Sequence, residues 1–293
     1  MMIAIRIAIL TLLTLMLVPN VFAVETVKII KGHSAKDERQ DYPQALLEAA
    51  LDKTVDEYGA YEIDASYGPW TRKEGLKNTV EGVVDIYFAP ANPEWERLTM
   101  PIYFPIRKGL LNYRLLMVNK NDLHSFESIE TFKDLQRFKV GLRKQWTTTY
   151  IMKALGFNVV EAETYDQVFV MLNDSETEFV PRGIDEYAAE IEAYQKDLSN
   201  LVIEPRLAMY LPMPVYFYVS PKKYGLSIRV EKGLNAMVAD GSFDALFMKY
   251  FGKSIKQAKL EDRHIIWLSN PFLTKEAPLS RKELWYTPKL KGK

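Results

Sequence analysis

Residues 83–118 read VVDIYFAPANPEWERLTMPIYFPIRKGLLNYRLLMV. The stretch opens on an apolar run, Val83 to Phe88, that predicts a buried strand ending at Ala89–Pro90. A loop carrying Asn92, Trp95 and Arg97 follows, then a segment punctuated by Pro101 and Pro105, and a second apolar strand from Arg114 to Val118. Upstream, the alternating ETVKIIKG after Val24 predicts a strand, 41–58 an amphipathic helix with Pro43 in its first turn, 61–66 a second strand, and 71–80 a short helix. Strand–helix–strand–helix–strand implies a parallel, doubly wound sheet. In such sheets solutes sit where the carboxyl ends of the strands meet loops, here 33–39, 67–70 and 92–97.

Beyond Val118 the polar break at 119–122 opens a second α/β unit. It comprises a helix at 128–135 with Ser128 as cap, strands at 138–142, 158–162, 178–181 and 201–204, and helices at 146–155, 165–173 and 185–194. The apolar, β-rich 213–219 carries the chain back, and helices at 226–239 and 243–250 close it, with Ser242 placed to cap the last.

The first stretch resembles the type 2 periplasmic solute-binding proteins, family 3. There a strand runs into P/G-x-[ST]-x-x-x-x-R, whose hydroxyl and arginine hold a ligand carboxylate. Pro90 and Arg97 stand at that separation, with Asn92 in the hydroxyl position. A second resemblance lies in ADGSFDALFMKYFG, 239–252, which is similar to the closing helix of that family. A third is FKVGLRKQWTTTY, 138–150, which resembles its V-G-x-x-x-G-[ST]-[ST] segment, with Trp146 in place of Gly. The resemblance implies a two-lobed type 2 periplasmic binding protein fold, each lobe a doubly wound sheet flanked by helices, with two crossovers as the hinge. Lobe 1 is expected over 24–115 and 216–293, the latter including a C-terminal tail of unassigned role, and lobe 2 over 116–215.

Composition bounds the function. Thirty-eight basic residues balance thirty-eight acidic ones in 293, so nothing points to nucleic acid or a charged membrane surface. With no cysteine, disulfides, Cys-held metals and a lipidated N-terminal Cys are excluded. The three histidines, His33, His124 and His264, are scattered, and no phosphate-binding or dinucleotide fingerprint occurs, so no cofactor is expected. Residues 1–23 read as a cleavable signal peptide: Arg6, an apolar core 7–18, and Val21-Phe22-Ala23 before the cut. The expectation is a monomeric periplasmic protein, processed after Ala23.

The site expected from these residues has Arg97 as a bidentate carboxylate anchor with Asn92 beside it. Tyr67 and Trp70 in a turn offer stacking surfaces. The open helix start at Thr147 and Thr148, next to Trp146, offers an anion site. In EFVPRGIDE, 178–186, the position where amino-acid binders carry an ammonium-holding Asp falls on Gly183, with Arg182 beside it. The alternative for Arg182 is a plain ion pair with Asp185 or Glu186. Together these residues point to an anionic or carboxylate-bearing small molecule, passed to an ABC permease or a sensor in the inner membrane. A dehydratase-like enzyme on the same scaffold is the rival reading.

Overall fold

The computed structural model describes residues 24–31, 40–194 and 196–289. The expected leader at 1–23 and the loop at 33–39 lie outside the described residues. The chain opens with β1 (Glu25–Ile30), α1 (Asp41–Asp52), α2 (Val55–Tyr58), β2 (Tyr61–Tyr67), α3 (Arg72–Val80), β3 (Ile86–Pro90), α4 (Pro93–Leu98) and β4 (Met100–Ile102). β1 and β2 pair in parallel, while β3 and β4 flank the returning β10 (Val215–Val219), antiparallel to both. Lys28 joins the two sets: its carbonyl accepts from Asp85 N at 2.8 Å and its N–H donates to the Asp85 carboxylate at 3.0 Å.

A six-stranded sheet forms the other unit, in the order β11-β9-β5-β8-β6-β7. It uses β5 (Tyr113–Asn119), β6 (Lys139–Arg143), β7 (Asn158–Ala162), β8 (Phe179–Gly183), β9 (Leu201–Tyr210) and β11 (His264–Trp267). Between them run α5 (Phe132–Leu135), α6 (Thr147–Ala154), α7 (Tyr165–Asn173) and α8 (Tyr187–Tyr194). β6 and β8 run parallel, so the loops after both emerge at one edge.

α9 (Tyr224–Ala239) and α10 (Ser242–Ala258) complete the first unit. α1 buries Tyr42, Leu46, Leu47, Ala50 and Leu51, one stripe at helical spacing, and Leu226, Val230, Leu234 and Met237 of α9 are buried with it in the main core. The backbones nearly touch: a Cβ on Gly233 would lie 1.9 Å from the Ala50 carbonyl oxygen, so only glycine fits.

Several element ends differ from the reading of the sequence. The helix expected from Ser128 starts at Phe132, because Thr131 and Asp134 form a capping box (Asp134 N to Thr131 Oγ1, 3.3 Å; Thr131 N to the Asp134 carboxylate, 2.9 Å). Ser242 does not cap α10. Gly241, at φ +79°, is its N-cap residue, and the Ser242 N–H donates instead to the Asp240 carboxylate. The strand expected over 201–204 continues to Tyr210 as one side of the crossover.

Candidate functional site

Two helix starts face one another where the two units meet. After β2 the chain turns at Gly68, held at φ +81°, a left-handed geometry that favours glycine. Thr71 then caps α3 with a full capping box: its hydroxyl accepts from Glu74 N, and the Glu74 carboxylate accepts from Thr71 N at 2.8 Å. That box fixes Arg72 as the first residue of α3. The Arg72 guanidinium donates to the Thr147 hydroxyl at the start of α6, bridging the two units.

Burial depresses the Arg72 pKa from the usual arginine value, and Tyr87, Tyr218 and Tyr150 act in the opposite direction. Among the described residues, no carboxylate is ion-paired with Arg72. α6 itself has no side-chain cap, since Trp146 stands at the capping position and its ring cannot accept the free N–H groups. Tyr150, one turn further along α6, is exposed and faces the same guanidinium.

The other arginines near this edge are matched by acids. The Arg182 Nε donates to both Glu190 oxygens at 3.0 and 2.7 Å, and its Nη2 lies 3.1 Å from Glu186. Its guanidinium also lies over the Trp146 ring, 4.7 Å from the centroid. Burial alone would lower the Arg182 pKa, but Glu186 and Glu190 outweigh it and raise the pKa above the ordinary value. Arg107, from the first unit, bonds Asp185 of the second at 2.8 Å, with the side chains only 12% and 6% exposed. Arg114 donates to the Pro181 carbonyl at 3.4 Å, and burial lowers its pKa against the pull of Glu186. Asp185 is thus paired with Arg107, and Glu186 and Glu190 with Arg182, whereas no ion pair to a carboxylate holds Arg72 among the described residues.

The residues expected at the site separate accordingly. Trp146, Thr147 and Thr148 stand at the junction, Thr147 in direct contact with the opposite unit. Arg182 is there too, but as a neutralised side chain and not the unpaired cation expected, because β8 and α8 bring Glu190 onto it. Asn92 caps α4, its side-chain oxygen accepting from Glu94 N at 2.9 Å and Trp95 N at 3.3 Å. Arg97 is exposed in the last turn of α4, and among the described residues no hydrogen bond or ion pair holds it. Trp70 is half-buried in the turn before Arg72, and Tyr67 ends β2 with Lys28 Nζ 6.0 Å from its ring centre. Arg72 was not singled out in the sequence. Thr71-x-x-Glu74 directly after a strand is the signal that locates it.

No sequence-family profile matches the chain, and no curated protein matches it in sequence. Solved structures do. The probable amino-acid ABC transporter extracellular-binding protein ytmK of Bacillus subtilis aligns at TM-score 0.56 and 16% identity, over 78% of this chain and 99% of its own. This chain has the two-lobed periplasmic binding protein fold. An ancestral arginine-binding protein bound to arginine aligns at TM-score 0.52 and 17% identity, over 78% of this chain and 98% of its own. The ancestral amino-acid-binding protein AncCDT-1, a precursor of cyclohexadienyl dehydratase, gives 0.52 and 16%, over 77% and 95%.

β1–β4 with β10 lie in the first unit, β5–β9 with β11 in the second, and Arg72–Thr147 bridges the two. A hollow of about 480 Å³ lies elsewhere, by Gln44, Glu48, Asp52, Tyr61 and Glu62 at the amino end of β2. Its lining holds three carboxylates and no Lys or Arg, the wrong sign for an anionic solute. Among the described residues no group of His, Asp and Glu could hold a metal, and no helix is long and apolar enough to cross a membrane.

Proposed function

We propose that this chain is an exported solute-binding protein that captures a small, carboxylate-bearing solute between its lobes and delivers it to a transporter in the inner membrane. The carrying observation is Arg72: a part-buried guanidinium at the lobe junction, bonded across the cleft to Thr147 and short of a carboxylate. A ligand carboxylate on Arg72 would meet the uncapped N–H groups of α6 from lobe 2, and touching both lobes favours their closure. The binding role of the fold neighbours supports this reading. Turnover on the same scaffold calls for a free acid or base, whereas Asp185, Glu186 and Glu190 are each held by an arginine, which favours binding alone. The same pairing leaves an ammonium poorly received, so the reading extends to solutes without a free α-ammonium. Glu186, with its side chain 30% exposed, is the group that would contradict it.

The test is a thermal-shift screen of residues 24–293 with succinate, glutamate, glutamine, histidine and arginine, followed by calorimetry. Acids are expected to raise the melting temperature. Arg72→Met is expected to weaken the best of them by on the order of a hundredfold or more, with the unliganded melting temperature little changed. Undiminished affinity in that variant would remove Arg72 from the site. Tight binding of arginine or histidine with no response to the acids would overturn the ligand class.

A further inference from the structure

The C-terminal tail crosses between the lobes twice more. From the end of α10 in lobe 1 it descends to lobe 2, where Arg263 Nη1 donates to the Glu204 and Leu207 carbonyls at 2.6 and 2.9 Å. There His264 Nε2 also lies 2.7 Å from the Glu130 carbonyl. β11 then runs back parallel to β9, pairing His264–Trp267 with Leu207–Tyr210. Past it, Leu268 N donates to the Tyr210 carbonyl at 2.8 Å and Asn270 Nδ2 to the Pro212 carbonyl at 2.8 Å, so the tail grips the second crossover.

The tail next anchors in lobe 1. Leu273 packs beside the core of Trp95, Tyr216 and Tyr218, and the Thr274 hydroxyl donates to the Glu96 carboxylate at 2.6 Å. Residues 283–286 hold the first crossover, the connection 103–112 between β4 and β5. Tyr286 N donates to the Lys108 carbonyl at 2.7 Å, Lys108 Nζ donates to the Glu283 carbonyl at 2.6 Å, and Leu284 is fully buried. The Trp285 ring lies so close to Gly109 that a Cβ there would come within 2.6 Å.

We propose that residues 264–286 form a strap across the hinge that limits how far the two lobes separate. Two crossover strands alone bend at a few backbone torsions. Here four chain passes cross the junction, and the strap is hydrogen-bonded to both crossovers and anchored in both lobes. Any opening that parts Glu130 and Glu204 from Glu96 must stretch the segment between β11 and Thr274 or break one of its ends.

The chain has no native cysteine, so paired spin labels report the lobe separation cleanly. Lys77→Cys on α3 and Lys153→Cys on α6 place labels on exposed positions of opposite lobes. The distance distribution is measured without ligand in the full mature chain and in two variants. One carries Trp285→Ala with Tyr286→Ala, which removes the ring packing of the strap on the first crossover. The other carries six Gly/Ser residues inserted after Asn270, which gives the strap slack while every contact residue stays in place. Both variants are expected to lengthen the mean separation by more than about 2 Å or broaden it, with an unchanged circular dichroism spectrum. Should the first variant fail to fold, the slack variant decides alone. An unchanged distribution in folded slack variant, whatever its melting temperature, overturns the proposal.

Discussion

Arg182 and Arg72 bring the same guanidinium to the cleft in opposite states. Arg182, 6% exposed in its side chain, has Glu190 across both oxygens, with that side chain 8% exposed. A buried pair of this kind contributes little net stability beyond a well-packed apolar pair, yet removing one partner strands the other charge. Glu190→Ala is therefore expected to cost about 3–5 kcal/mol in urea unfolding. A loss below about 1 kcal/mol would mean that Glu186 and water suffice for Arg182. Arg72, in contrast, has only a hydroxyl opposite it. The sequence pointed to Arg182 and not to Arg72, for a physical reason. Arg182 lies on β8 and Glu190 eight positions on in α8, so no single period links them and they meet only through the turn between the two. Thr147 likewise lies far along the chain from Arg72.

At the scale of elements, helix starts decide where the site's side chains stand. Asn92 occupies the position the resemblance assigns to a ligand-binding hydroxyl, but its oxygen is spent on the first turn of α4. Asn92→Ala should lower stability by about 1 kcal/mol while leaving ligand affinity unaltered, measured by unfolding and calorimetry side by side. A matching drop in affinity would return Asn92 to the ligand. Most elements were legible from period and punctuation: α7 falls on 165–173 as the pattern of Val168, Phe169, Met171 and Leu172 predicts. β11 was not. Four residues of HIIW carry no period, and only its pairing with β9 makes it a strand. The helix at 128–135 was placed from Ser128, although the stronger signal was Thr131-x-x-Asp134.

Across the whole molecule, the acid–arginine network makes folding stability depend on pH. Glu186 would be raised by burial, but Arg182 and Arg114 hold its pKa below the ordinary glutamate value. Its stabilising contribution is therefore present above the unfolded value of about 4.3 and is lost as pH falls through the folded one. Asp185 acts in the opposite sense: burial raises its pKa despite Arg107, so its protonation on acidification favours the folded state. The melting temperature is expected to fall on acidification below about pH 4, and Glu186→Gln to flatten that limb. An equally steep limb in the variant would assign it to other carboxylates.

The pairing of β3 with β10 carries a separate consequence for how the chain comes to be folded. Ile86–Pro90 meets Val215–Val219 only after β5 to β9 have been made, since these lie between them in the chain. β5 to β9 come in one stretch of chain, with the edge strand β11 added later, whereas the first unit waits with Trp95 and one edge of β3 uncovered until Tyr216 and Tyr218 arrive. The first-made unit of this protein thus stays unfinished, with apolar side chains uncovered, until the chain beyond it has been made.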